Sequence, residues 1–154
     1  MIKIITVGHI KEKYLQDAIE EYKKRISKYT KLEIMEIKDE GIVEKEKALN
    51  IEGEKILHYI QEKDYVITLE IDGKEYNSEE FSKKIDSIQI EHSNITFIIG
   101  GSFGLSNKVK ERSNLAISFS KMTFPHQLFR VILLEQIYRS YKIINNESYH
   151  KWVR

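Results

Sequence analysis

Apolar residues along this chain fall into short β-branched runs and longer stretches spaced at three and four residues, and the alternation of the two predicts its elements. Ile2-Lys3-Ile4-Ile5-Thr6-Val7, closed by Gly8, reads as a buried strand. From Lys13 to Lys28 the positions Tyr14, Leu15, Ala18, Ile19, Tyr22 and Ile26 recur at helical spacing with Lys and Glu between them, which predicts an amphipathic helix. Leu32-Glu33-Ile34-Met35-Glu36-Ile37 alternates apolar and charged residues, as a strand near a sheet edge with one exposed face does. A charged loop follows from Lys38 to Lys45. Ala48, Leu49, Ile51, Ile56, Leu57, Tyr59 and Ile60 then mark a second helix, whose continuity is weakened by Gly53, worth about 1 kcal/mol less than alanine there.

Tyr65 to Ile71 is a clear strand, stopped in this reading by a turn at Asp72-Gly73. Asn77 or Ser78 caps a third helix with Phe81, Ile85 and Ile88 on one face. Ile95-Thr96-Phe97-Ile98-Ile99 is an uninterrupted apolar strand running into Gly100-Gly101-Ser102-Phe103-Gly104-Leu105-Ser106. A short helix from Asn107 to Arg112 and a short strand from Leu115 to Ser118 come next. An irregular loop then ends in the one proline, Pro125, whose locked φ suits a first helical turn. The last helix, Leu128 to Ile144, is apolar on almost every face and so must be covered on two sides. The order of elements predicts an α/β fold with a mostly parallel sheet flanked by helices.

With 154 residues, 41% hydrophobic and 32% charged, the chain fits one domain spanning 1–154 that buries roughly 70% of its unfolded surface. It has no cysteine, which removes disulfides and thiolate metal sites, and its apolar opening is too short for a signal peptide, so a cytoplasmic protein with no membrane segment is expected. The formal net charge of +1 excludes a strongly basic nucleic-acid binder; an RNA partner would be engaged by a local patch. His9, His58 and His92 lie apart with no ligand spacing, and no metal is assigned.

In an open α/β sheet, ligands bind beyond the carboxyl ends of the strands. Three loops compete for that role: the one after Leu69, Gly100 to Leu105, and Ser118 to Pro125. The glycine pair permits close backbone approach or positive φ. Neither the dinucleotide fingerprint nor a Walker lysine accompanies it, which disfavours ATP or GTP. The basic run Lys23, Lys24, Arg25, Lys28 and Lys31 has two readings, a solvated face complementing a helix carboxyl end or a phosphate contact to RNA. Glu135 and Arg139 sit four residues apart on the doubly covered helix. That is either an ordinary intrahelical pair or a partly buried one with a specific task.

The strand end Leu69, Ile98-Ile99-Gly100-Gly101, the loop Ser118-Phe119-Ser120-Lys121-Met122-Thr123-Phe124-Pro125-His126, then Arg130-Val131, Glu135-Gln136-Ile137-Tyr138-Arg139 and the closing Tyr149-His150-Lys151 form one pattern. Together they resemble the ribosomal RNA large subunit methyltransferase H family, a minimal single-domain branch of the SPOUT methyltransferases, over essentially the whole chain. The resemblance implies a deep trefoil knot in the C-terminal part of the sheet, a homodimer, and S-adenosylmethionine bound in the knot. The reaction it implies is N3 methylation of a pseudouridine in 23S ribosomal RNA of the assembled ribosome or large subunit. Two features depart from the family pattern: the chain continues with Trp152-Val153-Arg154, and Phe103 is bulky for the glycine loop.

By resemblance the cofactor contacts are Leu69, Gly101, Ser120, Lys121, Met122, Thr123, Phe124 and Pro125, and the catalytic residues are Arg139, Tyr149 and His150. Methyl transfer to an imide nitrogen requires that its proton leave, and His150 suits that step because an imidazole can take up a proton near neutral pH. Arg139 would orient the base or stabilise charge on its carbonyl oxygens, and Tyr149 would stack on it. Two rivals keep the same strand-loop architecture: a non-catalytic ribosome-binding module and a nucleotide-binding domain of unrelated chemistry.

Overall fold

The computed structural model describes residues 1–40 and 44–150. Part of the expected 38–45 loop, Lys151 of the closing Tyr149-His150-Lys151 and the Trp152-Val153-Arg154 extension lie outside the described residues. Five strands, β1 Ile2–Val7, β2 Leu32–Ile37, β3 Tyr65–Glu75, β4 Ile95–Ile99 and β5 Leu115–Ser118, alternate with α1 Lys13–Ile26, α2 Lys45–His58, α3 Ser78–Glu91, α4 Asn107–Arg112 and α5 His126–Ile144. The sheet is parallel throughout, in the order β2-β1-β4-β3-β5. β2, whose Glu33 and Glu36 marked it as half exposed, is an edge strand, while the unbroken apolar strands β1 and β4 lie inside and are buried at every position.

The two-residue period of the strands divides the core. Ile2, Ile4, Phe97 and Ile99 pack with Leu15 and Ile19 of α1, Phe81 and Ile85 of α3, and Leu133 and Leu134 of α5. Ile5, Val7 and Ile98 face the other way, onto Ile56 of α2 and Leu105 and Val109 beside and within α4. Leu133, Leu134 and Ile137 are wholly buried, each contributing roughly 1.5–3 kcal/mol relative to exposure. α5 is therefore pinned between the sheet, α1 and α3. Its other flank keeps Leu128 exposed and Val131 and Ile132 half-buried.

Local signals account for most boundaries. α3 opens with a capping box in which the Asn77 side chain accepts from the Glu80 amide at 2.7 Å and Glu80 accepts from the Asn77 amide at 2.9 Å. α2 runs unbroken through Gly53, and the position is a glycine because Ser106 and Val109 pack directly against the space a side chain would take there. At the amino ends of the strands, Lys3 and Asp64 form a buried pair at 3.1 Å. Burial alone would raise the Asp64 carboxyl, but bonds from the Gln61 amide, Asn94 and Lys3 outweigh it and hold its pKa below the usual value. Among the described residues, no helix is long and apolar enough to cross a membrane.

Two expectations are corrected. β3 does not stop at Asp72-Gly73: Leu69 pairs with Ile117, the chain makes an excursion, and Lys74 rejoins Ile117 so that the strand continues to Glu75. The return needs Gly73, since a Cβ there would lie 2.6 Å from the Ile117 backbone. Pro125 lies just outside α5 rather than in its first turn, as an N-cap with ψ of 129°, and its carbonyl accepts the Phe129 amide at 2.9 Å.

Candidate active site

β4, β3 and β5 are neighbours, so the loops leaving their carboxyl ends meet. They enclose a cavity of about 310 Å³, floored by Leu69, Ile99 and Ile117 and walled by Gly100-Gly101, Ser118 to Ser120 and Met122 to Phe124. The β3 excursion adds Glu70, Ile71 and Asp72, and α5 adds Phe129. Of the residues expected at a cofactor, Leu69, Gly101, Ser120, Met122, Thr123 and Phe124 line this space. Lys121 and Pro125 do not line it; both are exposed, Lys121 in the loop and Pro125 at its junction with α5. The sequence points to the loop after Leu69 without singling out Glu70, Ile71 and Asp72, because Asp72-Gly73 reads as a strand end, and Phe129 reads as helix core.

The loops are fixed by their own bonds. The Ser118 hydroxyl donates to the Ser120 carbonyl at 3.0 Å, and the Met122 amide donates to the Ser120 hydroxyl at 3.0 Å, which closes the chain into a compact turn. Behind it Phe119 meets Phe129 edge-on at 5.0 Å and Phe124 stacks on Phe129 at 5.9 Å. The Gly104 amide donates to the Gly101 carbonyl at 3.1 Å, with Gly104 at φ +82°. Gly101 is required for a different reason: a Cβ there would lie 2.8 Å from Val7 Cγ1, on the β1 side. The glycine loop can therefore press down on β1 and keep its backbone at the cavity wall. Beneath it lies Glu52 of α2, only 2% exposed. Its Oε2 accepts the Glu40 amide at 2.9 Å while Oε1 has no hydrogen-bond partner among the described residues, and burial pushes its pKa up.

A second cluster forms where α5 meets the C-terminal segment. Glu135 holds Arg139 through two bonds, from Nη2 at 2.7 Å and Nε at 3.3 Å, and accepts the Tyr149 hydroxyl at 2.8 Å. The Arg139 guanidinium lies 4.9 Å from the Tyr149 ring centre. Its Nη1 is 3.0 Å from His150 Nδ1, and His150 Nε2 is 3.4 Å from Glu79. An arginine only donates, so it fixes Nδ1 as the acceptor and places the imidazole proton on Nε2, toward Glu79. Burial, with the bond to Glu135 second, pushes the Tyr149 hydroxyl up and keeps it neutral. The three residues expected to be catalytic are thus brought together, with Glu135 as their common anchor.

The cluster adjoins the first cavity without opening into it. His150, Gln136, Ser78 and Glu79 line a separate space of about 550 Å³, and Ile117, Ser118, Phe119 and Phe124 line both. Arg139 and Tyr149 line neither. Arg130, also on α5, is 3% exposed and ties the helix to the strand ends through Glu36, the Thr6 hydroxyl at 3.3 Å and the Gly8 carbonyl at 3.2 Å. It is structural in this arrangement.

Comparison with known proteins agrees with this geometry. The family model described as "Predicted SPOUT methyltransferase" matches residues 1–150. A protein of Methanococcus maripaludis is 60% identical over 97% of this chain and 99% of its own length. Two proteins named ribosomal RNA large subunit methyltransferase H, from Clostridium botulinum and Streptococcus pneumoniae, are 55% and 51% identical, each over 97% of this chain and 99% of theirs. With the parallel sheet, the loop cavity and a match along nearly its whole length, the chain belongs to the SPOUT methyltransferases, in the ribosomal RNA large subunit methyltransferase H group.

Proposed function

We propose that this protein transfers the methyl group of S-adenosylmethionine to N3 of a pseudouridine in 23S ribosomal RNA, within the assembled ribosome or large subunit. The observation that carries the reading is the pair of adjoining spaces, one built of loop backbone and apolar side chains and the other edged by His150, with a shared wall of Ile117 to Phe119 and Phe124. Leu69, Ile117 and Phe124 suit the faces of a purine, and the backbone of Gly101 and of Ser120 to Thr123 suits its polar edge, so the residues fit the cofactor. When bound there, S-adenosylmethionine supplies an electrophilic methyl group. Pro125 holds the loop at its junction with α5, and Lys121 stands exposed at the rim.

The chain's own residues then do the following. Holding the acceptor nitrogen in line supplies much of the rate through positioning. The N3 proton goes to His150 Nδ1, but Arg139 Nη1 occupies that nitrogen, so the guanidinium must first be drawn away. A base whose carbonyl oxygens attract Arg139 does both tasks at once: it frees His150 to take the proton and brings a fixed cation to the charge left on the imide. Glu135 holds Arg139 and Tyr149 in register for that exchange. Tyr149 stays protonated and offers its ring, now under Arg139, as the platform for the base.

The same reading takes 1–154 as one cytoplasmic SPOUT domain, with β5, the loop and α5 threaded as a deep trefoil knot. It also takes the chain as a homodimer that covers the Leu128, Val131 and Ile132 flank of α5. Sedimentation should show a dimer at micromolar concentration; a stable monomer there refutes that part. For the activity, labelled S-adenosylmethionine is incubated with intact large subunits, ribosomes and protein-free 23S RNA, and modified nucleotides are mapped by mass in cells with and without the protein. A net charge of +1 supports little affinity for naked RNA, so transfer to the assembled particle and little to free RNA is expected. Equal rates on both refute the particle requirement. Calorimetric titration that finds no binding of S-adenosylmethionine, ATP or NAD favours a non-catalytic ribosome-binding module.

A further inference from the structure

We propose that the exposed basic ridge at the carboxyl end of α1, centred on Lys24 and Lys28, docks the phosphate backbone of the ribosomal RNA strand flanking the target nucleotide. The inference rests on the rRNA reading above and names the surface that brings the substrate in. Between Lys23 and Lys31 there are five basic residues and no acidic one, in a chain whose total is only +1. The helix dipole accounts for a cation in the last turn, where Lys23, Lys24 and Arg25 lie, but Lys28 and Lys31 come after the helix has ended at Ile26. Several of these charges are already engaged. Lys23 meets Glu20 at 3.4 Å, Arg25 meets Glu21 at 2.8 Å and Lys31 meets Glu33 at 3.6 Å. Lys24 and Lys28, four residues apart and both exposed, are in no ion pair among the described residues.

Position gives the ridge its partner. The Arg25 guanidinium lies 5.5 Å from the ring centres of both Tyr22 and Tyr138. Tyr138 meets Tyr149 edge-on at 4.8 Å, and Tyr149 carries Arg139. A run of aromatic rings and cations therefore leads from Arg25, next to Lys24 in the chain, to the cluster assigned to the target base. An acidic protein surface would be served by the lysines alone. A nucleic-acid strand uses both parts, cations for its phosphates and rings for an unstacked base.

The test is the double variant Lys24→Gln/Lys28→Gln, beside Lys45→Gln/Lys47→Gln, which removes the same charge from exposed positions on α2 across the sheet. Binding to intact large subunits is measured from low to high salt, with methyl transfer and S-adenosylmethionine affinity alongside. Each lost phosphate contact makes the log–log salt slope shallower by about 0.7–0.9, so the α1 variant should lose about 1.4–1.8, with KM for the subunit raised about tenfold at physiological salt. Its kcat and cofactor affinity should match wild type, and the α2 variant should leave the slope unchanged. A wild-type slope and KM for the α1 variant, or the same loss in both variants, overturns the inference while leaving the methyltransferase reading intact. Failure of the wild-type protein to bind or methylate the subunit removes both.

Discussion

Replacing Gly101 by alanine separates two reasons for a glycine in the cavity wall. If the residue is small to admit the cofactor, alanine weakens binding without touching the fold. The structure places the conflict on the other side: the new Cβ would sit 2.8 Å from Val7 Cγ1 and 3.3 Å from Val7 Cβ, against an ordinary carbon contact of about 3.5–4.0 Å. Val7 is fully buried in a strand paired on both edges, so it cannot withdraw. Overpacking of this kind costs about 1–3 kcal/mol, a fall of roughly 2–4 °C in Tm for each kcal/mol in a chain this size. Val7→Ala alone should cost about 2 kcal/mol in lost burial and cavity. The double variant Gly101→Ala/Val7→Ala should be more stable than the sum of the singles by about 1 kcal/mol, because the obstructing methyl is gone. Thermal unfolding and calorimetric titration with S-adenosylmethionine read both quantities. The reasoning is refuted if Gly101→Ala melts with wild type yet loses cofactor affinity, or if the two costs simply add.

Glu52→Gln should stabilise the protein by about 1 kcal/mol at pH 8, because burial raises the folded pKa and an ionised Oε1 has no hydrogen-bond partner among the described residues. The wild-type carboxyl favours folding only below its unfolded pKa near 4.5 and loses that contribution as pH rises through the higher folded value, so denaturant curves should converge at pH 4. Asp64→Asn acts in the opposite sense: it strands buried Lys3 at a cost of about 3–5 kcal/mol at pH 7. Since the Asp64 pKa is lowered, its contribution is present above the unfolded value of 3.8 and disappears as pH falls through the folded one, so an equal deficit at pH 2 and pH 7 would contradict this. His150→Ala and Arg139→Ala should reduce turnover on the order of a hundredfold with cofactor affinity within a few-fold. Arg139→Ala should also lower Tm, as Glu135 loses two bonds, and full activity of His150→Ala would dissolve the proposed division of labour.

The fold was largely legible from the chain. Ile4 and Ile5 belong to opposite faces of the sheet because successive strand residues alternate, and that period follows from backbone geometry alone. The Asn77–Glu80 capping box is written in residues three apart, and the charges of β2 announced an edge. The site was legible in part: three strand-end loops could be named as its walls, and the Glu135–Arg139 spacing pointed to a pair on one helix face.

Element type, period, caps and the order that makes a parallel sheet economical depend on neighbours a few residues apart, and so can be read along the chain. That β3 continues past Gly73, that Gly101 is small because of Val7, that Pro125 stands outside its helix and that His150 lies between Arg139 and Glu79 emerges only when the chain is folded. Each of these turns on a contact between segments far apart in the chain. A glycine reads the same in sequence whether it makes a turn, meets a ligand or yields to a distant side chain, so the local pattern is degenerate and packing alone removes the degeneracy.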